Sequence, residues 1–507
     1  MTVAGPGSES TFNAPPPPPP EKKLYKCGTL TYTKFGLVMV FVWLLWGDFV
    51  FSILNEAFTR VLPLELNRIG AEDWVNQVVN RTLGYILVFL LTPMVSFKSD
   101  RHRGRWGRRI PYLFWSTPFV GLFLVAIGCY SNITDYVTGV TGTLTFTGLQ
   151  LWGWTIIPPL PVGQAGMLIM VLGVLVVGYD FASLFVNTVY WYLFNDVVPP
   201  HMLSRFLSLF RMVNAGAIAL YDWLLLPHSL TNFSTIMVGI GIAYVVGFMV
   251  MCIFIKEGKY PPPPQNIDKR KGVISSCKTY AKECFTHRLY WYFFLANTFT
   301  QIAGATGTFT LLRNTKTLGL SLDDVGPILA ISSLIGLVLQ YPCGWAADKW
   351  NPIRVYVISA VLNVLGALAA CAWCIWDFGP HGNLMYLWVS SMAFLPIMAV
   401  NDAAEIPMYM RLLPKERYGQ FCSANAFVRA LAMSIALFVS GWFMSSLANH
   451  MGDWHYRYIP VWEVIFRIPA VFFIVLVFLE WRKRGGDKGY TPPRVDENIN
   501  TDARLAT

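Results

Sequence analysis

Charge is scarce in this chain. Asp, Glu, Lys and Arg make up 13% of its 507 residues, whereas hydrophobic residues make up 54%. A soluble globular protein normally carries about a quarter of its residues as charges, so a water-exposed surface is excluded for most of this one. Histidine is rarer still, with seven residues, and the nine cysteines show no metal-ligand spacing in a polar setting. Cys371 and Cys374 form a Cys-x-x-Cys, but within Ala370-Cys371-Ala372-Trp373-Cys374-Ile375 they read as small residues of an apolar helix. There is no His-Glu-x-x-His, no Gly-x-Ser-x-Gly and no Gly-rich loop ending in Gly-Lys-Ser/Thr. The expectation is a protein that is not an enzyme, binds no metal or cofactor, and draws no energy from ATP. A cleavable signal peptide is also not evident: the start runs into the prolines Pro15 to Pro20, an extended tail, which leaves the first apolar run as the insertion signal.

What the chain has instead is long apolar runs. They predict helices near 33–61, 73–97, 110–130, 164–197, 204–227 and 232–256, then near 287–314, 324–346, 354–376, 382–411, 418–446 and 457–482. Each reaches the roughly 20 residues needed to cross a bilayer. The reading is an all-α membrane protein of twelve transmembrane helices in two six-helix pseudo-repeats. Its expected parts are a disordered tail at 1–32, a first half at 33–256, a linker at 257–286, a second half at 287–482 and a tail at 483–507.

The net charge of +10 sits in short loops between apolar runs, which argues for topology rather than for nucleic acid. Lys98–Arg109, the Lys256–Arg288 linker and Arg482-Lys483-Arg484 are basic, while Ser131–Gly163 contains no Lys or Arg. Basic loops stay inside, so both termini are expected in the cytoplasm, with the protein a monomer in the cell (plasma) membrane.

The halves echo one another. Asn195-Asp196-Val197-Val198-Pro199 leads towards Phe206, as Met410-Arg411-Leu412-Leu413-Pro414 leads towards Phe421, and the prolines and phenylalanines align at one offset. Gly344-Trp345-Ala346-Ala347-Asp348-Lys349 closes the eighth run as Ser99-Asp100-Arg101 closes the second. Parallel repeats of this kind place one site between two rocking halves.

An ionisable residue at membrane depth costs at least about 2.5–3.5 kcal/mol, so each needs a partner or a task. Asp180 stands well inside the fourth run, and a carboxyl group that is costly when ionised suits a proton-coupled step. Asp48 and Glu56 lie two turns apart on one face of the first run, with Arg81 of the second as the expected neighbour. Asp402 and Glu405 share a face of the tenth run, with Arg429 of the eleventh as their expected counter-charge. Asn187 follows Asp180, and Trp191 and Trp46 are candidate aromatic platforms for a sugar. Asp100, Arg101, Arg108, Arg109 and Asp196, with Asp348 and Lys349 in the second half, read as charged latches at one end of the helices.

The segment Ser99-Asp100-Arg101, followed by Trp106-Gly107-Arg108-Arg109 and Pro111, resembles the loop of the major facilitator superfamily. Within it the pattern is similar to glycoside–pentoside–hexuronide cation symporters and to plant-type sucrose–proton symporters, which read Asp-Leu-Ala where this chain has Asp180-Phe181-Ala182. The resemblance implies a secondary transporter for a sugar or glycoside, with Asp180 as its proton-coupling carboxylate. The chain departs from that pattern at Trp191, where sucrose symporters carry an arginine thought to engage sugar. The paired aspartates of sodium-using melibiose-type symporters are absent, since the second run offers Asn76, Gln77, Asn80 and Arg81. Protons are therefore expected ahead of sodium. A carrier of amino acids, organic acids or drugs, or a solute receptor that does not transport, remain the alternatives.

Overall fold

The computed structural model describes residues 25–27, 29–141, 149–151, 154–157, 163–199, 202–258, 284–414 and 418–493. Twelve helical rods stand among them. They are α1 (Lys34–Arg68), α2 (Asp73–Gln77, a π-helical turn Val78–Thr82, then Leu83–Arg101), α3 (Ile110–Gly128), α4 (Gln164–Val197), α5 (Leu203–Leu224) and α6 (Phe233–Phe254). The second set is α7 (Arg288–Ala303, broken by 3-10 and π turns up to Thr317), α8 (Leu322–Trp350), α9 (Pro352–Ala370), α10 (Gly379–Leu412), α11 (Tyr418–Met451) and α12 (Ile459–Lys483). Eight helical segments, from Lys34–Arg68 to Gln420–Lys483, are long and apolar enough to cross a membrane by composition alone. The rods α2, α5 and α7 lie outside that set, and each lends polar groups to the space between the halves, as described below.

Departures from the expected bounds have local causes. α1 continues to Arg68 because its polar end is satisfied inside the protein. Glu65, fully buried, accepts from Arg68 at 2.6 Å and from the Tyr130 hydroxyl at 2.5 Å, and Asn76 donates to the Pro63 carbonyl at 2.9 Å. The tail expected to be disordered through residue 32 is ordered at its end, where Tyr25–Cys27 and Leu30–Tyr32 pair antiparallel. That hairpin is tied down by Tyr32, whose hydroxyl donates to the Val197 carbonyl at 3.2 Å. The expected linker 257–286 falls mainly on residues outside those described, as do 1–24 and 494–507 of the tails. The 131–163 loop begins as a short helix, Tyr130–Thr141, and includes paired strands Leu149–Leu151 and Trp154–Ile157.

The repeat is visible at the helix ends. Tyr490 donates to the Leu412 carbonyl at 2.9 Å, as Tyr32 does to Val197, and those carbonyls are 215 positions apart, like Pro199 and Pro414. The Glu257 carboxylate accepts the backbone N–H of Arg108, Arg109 and Ile110 at 2.6–2.9 Å, capping α3. In the second half Asp487 takes the same place before α9, accepting from Asn351 and pairing with Arg354. Glu257 meets the free N–H groups at a helix start directly, whereas Asp487 works through the side chains of Asn351 and Arg354, Asn351 itself accepting the Ile353 N–H.

Within the halves, α3 packs on α4 and α6, and α12 on α7 and α9; between the halves, α5 meets α8 and α2 meets α11. Glycines set the closest approaches across that seam. A Cβ on Gly326 of α8 would lie 2.5 Å from the Asp222 carbonyl oxygen of α5, and one on Gly441 of α11 would lie 2.8 Å from the Trp74 Cα at the start of α2. Both contacts lie at the end opposite the arginine-rich loop, and there the halves are sealed.

Candidate functional site

Six hydrogen bonds build that seal. Gln77 donates to Ser440 at 3.0 Å and to the Ala305 carbonyl at 2.7 Å, and the Trp74 N–H donates to Ser445 at 3.0 Å. Asn67 donates to the Tyr456 hydroxyl at 3.0 Å, Tyr456 donates to Asp73 at 2.7 Å, and His455 Nε2 lies 2.6 Å from the other Asp73 oxygen.

On the other side of the seal, between the middle of the helices and the arginine-rich end, lies a cavity of about 760 Å³. α1 contributes Asp48, Ser52, Asn55, Glu56 and Arg60; α4 contributes Asn187, Tyr190 and Trp191; α5 contributes Arg211 and Asn214. From the second half come Ser332, Ser333 and Gln340 of α8 with Asp402 and Glu405 of α10. Few of these polar groups are free. Asn214 donates to Ser52 at 2.7 Å and Ser52 to Asp48 at 3.4 Å, which leaves the second Asp48 oxygen without a hydrogen bond. Arg60 pairs with Glu56 at 2.6 Å and with buried Asp222 at 3.2 Å, tying α1 to α5. Tyr409 donates to Glu405 at 2.5 Å, and the guanidinium of Arg211 acts on Asp402 across the seam. Such a set offers hydrogen-bond donors and acceptors, two aromatic rings and more carboxylates than guanidiniums.

Of the residues singled out in the sequence, the cavity therefore collects Asp48, Glu56, Asn187, Trp191, Asp402 and Glu405. Four others lie elsewhere. Asp180 packs against α2, where a Cβ on Gly84 would stand 2.8 Å from its Oδ2, and that oxygen is buried without a hydrogen bond. Arg81 is not the neighbour of Asp48 and Glu56. It sits on the π turn of α2, lines a smaller cavity of about 240 Å³ with Thr300, Gln301 and Thr308 of α7, and its charge reaches Asp180. Arg429 acts on Tyr409 instead of lining the cavity, and Trp46 stacks on Phe49 with its Nε1 against Gly247 of α6. Arg60, Asp222, Arg211 and Asn214 were missed. The i,i+4 spacing of Glu56 and Arg60 was the signal that would have found Arg60; nothing local points to Asp222.

The charged end is built within the first half. Arg108 grips Asp196 through two bonds, at 2.5 and 2.9 Å, and Arg109 reaches the same carboxylate at 3.2 Å while donating to Ser99. Lys349 lies over the Trp345 ring at 4.7 Å. The side chains of Asp100 and Arg101 are outside those described, and among the described residues Asp348 forms no ion pair. A separate apolar groove of about 960 Å³, lined by Trp106, Trp115, Phe119, Phe123 and Phe185, lies on α3 and α4 away from the seam.

The chain matches the family model of the Major Facilitator Superfamily in two overlapping segments, residues 223–437 and 297–498. No curated protein matches it significantly. It is similar to the solved structure of a bacterial homolog of the human lysosomal transporter Spinster, in an inward-facing and unoccupied conformation. There the identity is 13% and the TM-score 0.63, over 91% of this chain and 100% of that one. A D-xylose–proton symporter matches with 12% identity and a TM-score of 0.57 over 91% and 99%. A nucleoside transporter matches with 13% and 0.57 over 87% and 99%. At such identities these likenesses speak for the fold, and together with the family match they identify the protein: this chain belongs to the major facilitator superfamily and is a multi-pass membrane transporter.

Proposed function

We propose that this transporter moves a small polar solute, a sugar or glycoside, in symport with protons by alternating access. The observation that carries the reading is the cavity between the halves. Its volume of about 760 Å³ suits a small ligand, and Asn55, Asn187, Asn214, Ser332, Ser333 and Gln340 supply the donors and acceptors that hydroxyl groups need. Tyr190 and Trp191 line the same space and offer faces for a pyranose ring. The basic loops support a cytoplasmic placement of both termini in the cell membrane, which makes the sealed end the outer end and the cavity side the inner one.

Asp180 is the proposed proton carrier. Buried against Gly84 with one oxygen unmatched, it is relieved either by a proton or by Arg81, and Arg81 faces the seam through which the halves move. Exchange between those two states links a proton to the rocking of α2 against α7 and α11. The arginines around Asp196 then act as the inner latch, together with Asp100, Arg101, Asp348 and Lys349. A second reading is favoured by the surplus of Asp48, Asp402 and Glu405 over Arg211 in the cavity: a solute bearing a positive charge.

Uptake into proteoliposomes tests both. Labelled sugars and labelled cationic solutes are supplied with and without an inward proton gradient. Gradient-driven accumulation of a sugar, lost in Asp180→Asn with exchange retained, is the expected result. Accumulation of cations alone replaces the sugar, and accumulation unchanged in Asp180→Asn removes that residue from the coupling.

A further inference from the structure

The outer seal contains an acid–base pair that the transport reading does not use. His455, in the 3-10 turn Gly452–Tyr458 that leads into α12, is 3% exposed, and Asp73 at the start of α2 is 5% exposed. They come from opposite halves. Both nitrogens of the imidazole are engaged: Nε2 lies 2.6 Å from Asp73 Oδ2, and Nδ1 lies 2.5 Å from the Gly452 carbonyl oxygen. A carbonyl only accepts, so Nδ1 carries a hydrogen. The second contact then needs another hydrogen, either on Nε2 or on the carboxyl oxygen. In both arrangements the pair holds one proton more than an ionised aspartate beside a neutral imidazole.

We infer that His455 and Asp73 form a proton-binding latch whose closure traps one proton from the outer solution. Opening the outer end separates the two groups and exposes each to water, where the extra proton is no longer shared between them and is released. The proton is taken from the outer side and returned to it. It therefore sets the balance between outward-open and outward-closed forms instead of being carried with solute.

The surroundings leave the task to this pair. Tyr456 donates to Asp73 and accepts from Asn67 of α1. Glu72 is held by the Trp74 indole, and Arg457 pairs with Asp377 at 3.0 Å and stacks over Trp454. Asp453 in the same turn acts on Tyr456, and its carbonyl accepts from Thr317 of α7. Among the described residues no guanidinium or ammonium pairs with Asp73, and the His455 imidazole is the basic group placed against it.

One proton bound on closure makes the closed-to-open ratio fall up to tenfold per unit rise in pH where the latch titrates. The proposal rests on alternating access but not on the nature of the solute. The test uses the full chain, its nine cysteines replaced, with spin labels at Asn132→Cys and His450→Cys to report the outer-end separation between pH 5 and 9 without solute. A closed fraction that still falls as pH rises in Asp180→Asn, and becomes pH-independent when either His455→Gln or Asp73→Asn is added to Asp180→Asn, is expected. Either latch variant suffices if the other does not fold. The same pH dependence in a folded latch variant overturns the proposal, as does none in the parent. Separations that respond to solute but not to pH remove the latch and leave alternating access standing. Separations that respond to neither overturn both.

Discussion

Replacing Gly326 by alanine adds one carbon where α8 meets α5. On this backbone that carbon would lie 2.5 Å from the Asp222 carbonyl oxygen, whereas ordinary contact begins at 3.4 Å. The obstacle is main chain, so no side-chain rotation clears it, and the two helices must part by about 0.9 Å at that level. Overpacking of this kind costs about 1–3 kcal/mol. Alanine also favours the helix by up to about 1 kcal/mol over glycine, but that gain is present whether the outer end is open or closed and cancels from the ratio. The closed-to-open ratio should therefore fall roughly 5- to 150-fold. The outer-end spin-label separation at a fixed pH measures this directly. Gly441→Ala, facing the Trp74 Cα, should act in the same direction, and Gly344→Ala, with nothing within 4 Å, should not. A folded Gly326→Ala protein with an unchanged closed fraction would refute the placement of the seam.

Arg60→Met leaves Asp222, which is fully buried, without its guanidinium and should cost about 3–5 kcal/mol in thermal unfolding. Adding Asp222→Asn should recover most of that loss, and failure to recover it would show that the pair is not the cause. Glu257→Gln can keep the two contacts made to Oε1, from Arg109 and Ile110, but puts an NH2 group against the Arg108 N–H and loses the charge at the start of α3, so a loss of at least about 0.3–1 kcal/mol is expected in the same assay. Glu257→Ala should lose more. Between α9 and α10, the Gly379 N–H first, then Arg457 and Asn383, hold the Asp377 carboxyl below the usual carboxylate range. Its small contribution is present above about pH 4 and fades as pH falls. Asp377→Asn should thus lower the melting temperature at pH 7 and leave it unchanged near pH 2; equal losses at both would contradict the hydrogen-bonded carboxylate.

Much of the fold was legible because lipid imposes a simple rule: an apolar run of about 20 residues crosses as a helix about 30 Å long, its backbone bonded within itself. That is why α4 was read to the residue and why the repeat could be seen from Pro199, Pro414, Phe206 and Phe421. The site was legible only in part. Asp48 and Glu56, or Asp402 and Glu405, share a face by helical period, and the cavity gathers all four. Their partners could not be read in this way. Arg81 and Arg429 were plausible counter-charges by span number, yet Arg60 and Arg211 take those places, because helix rotation and neighbour order decide which guanidinium arrives.

From residue order alone come the twelve spans, the six-and-six division, the basic loops and the family resemblance, all local properties of composition and spacing. Tertiary structure decided which end is sealed, that Asp180 faces Gly84 and not the cavity, and that Asp73 meets His455 across 382 positions. Those outcomes depend on how rigid helices pack around glycines at the seam, and a one-dimensional pattern of apolar runs does not encode that geometry.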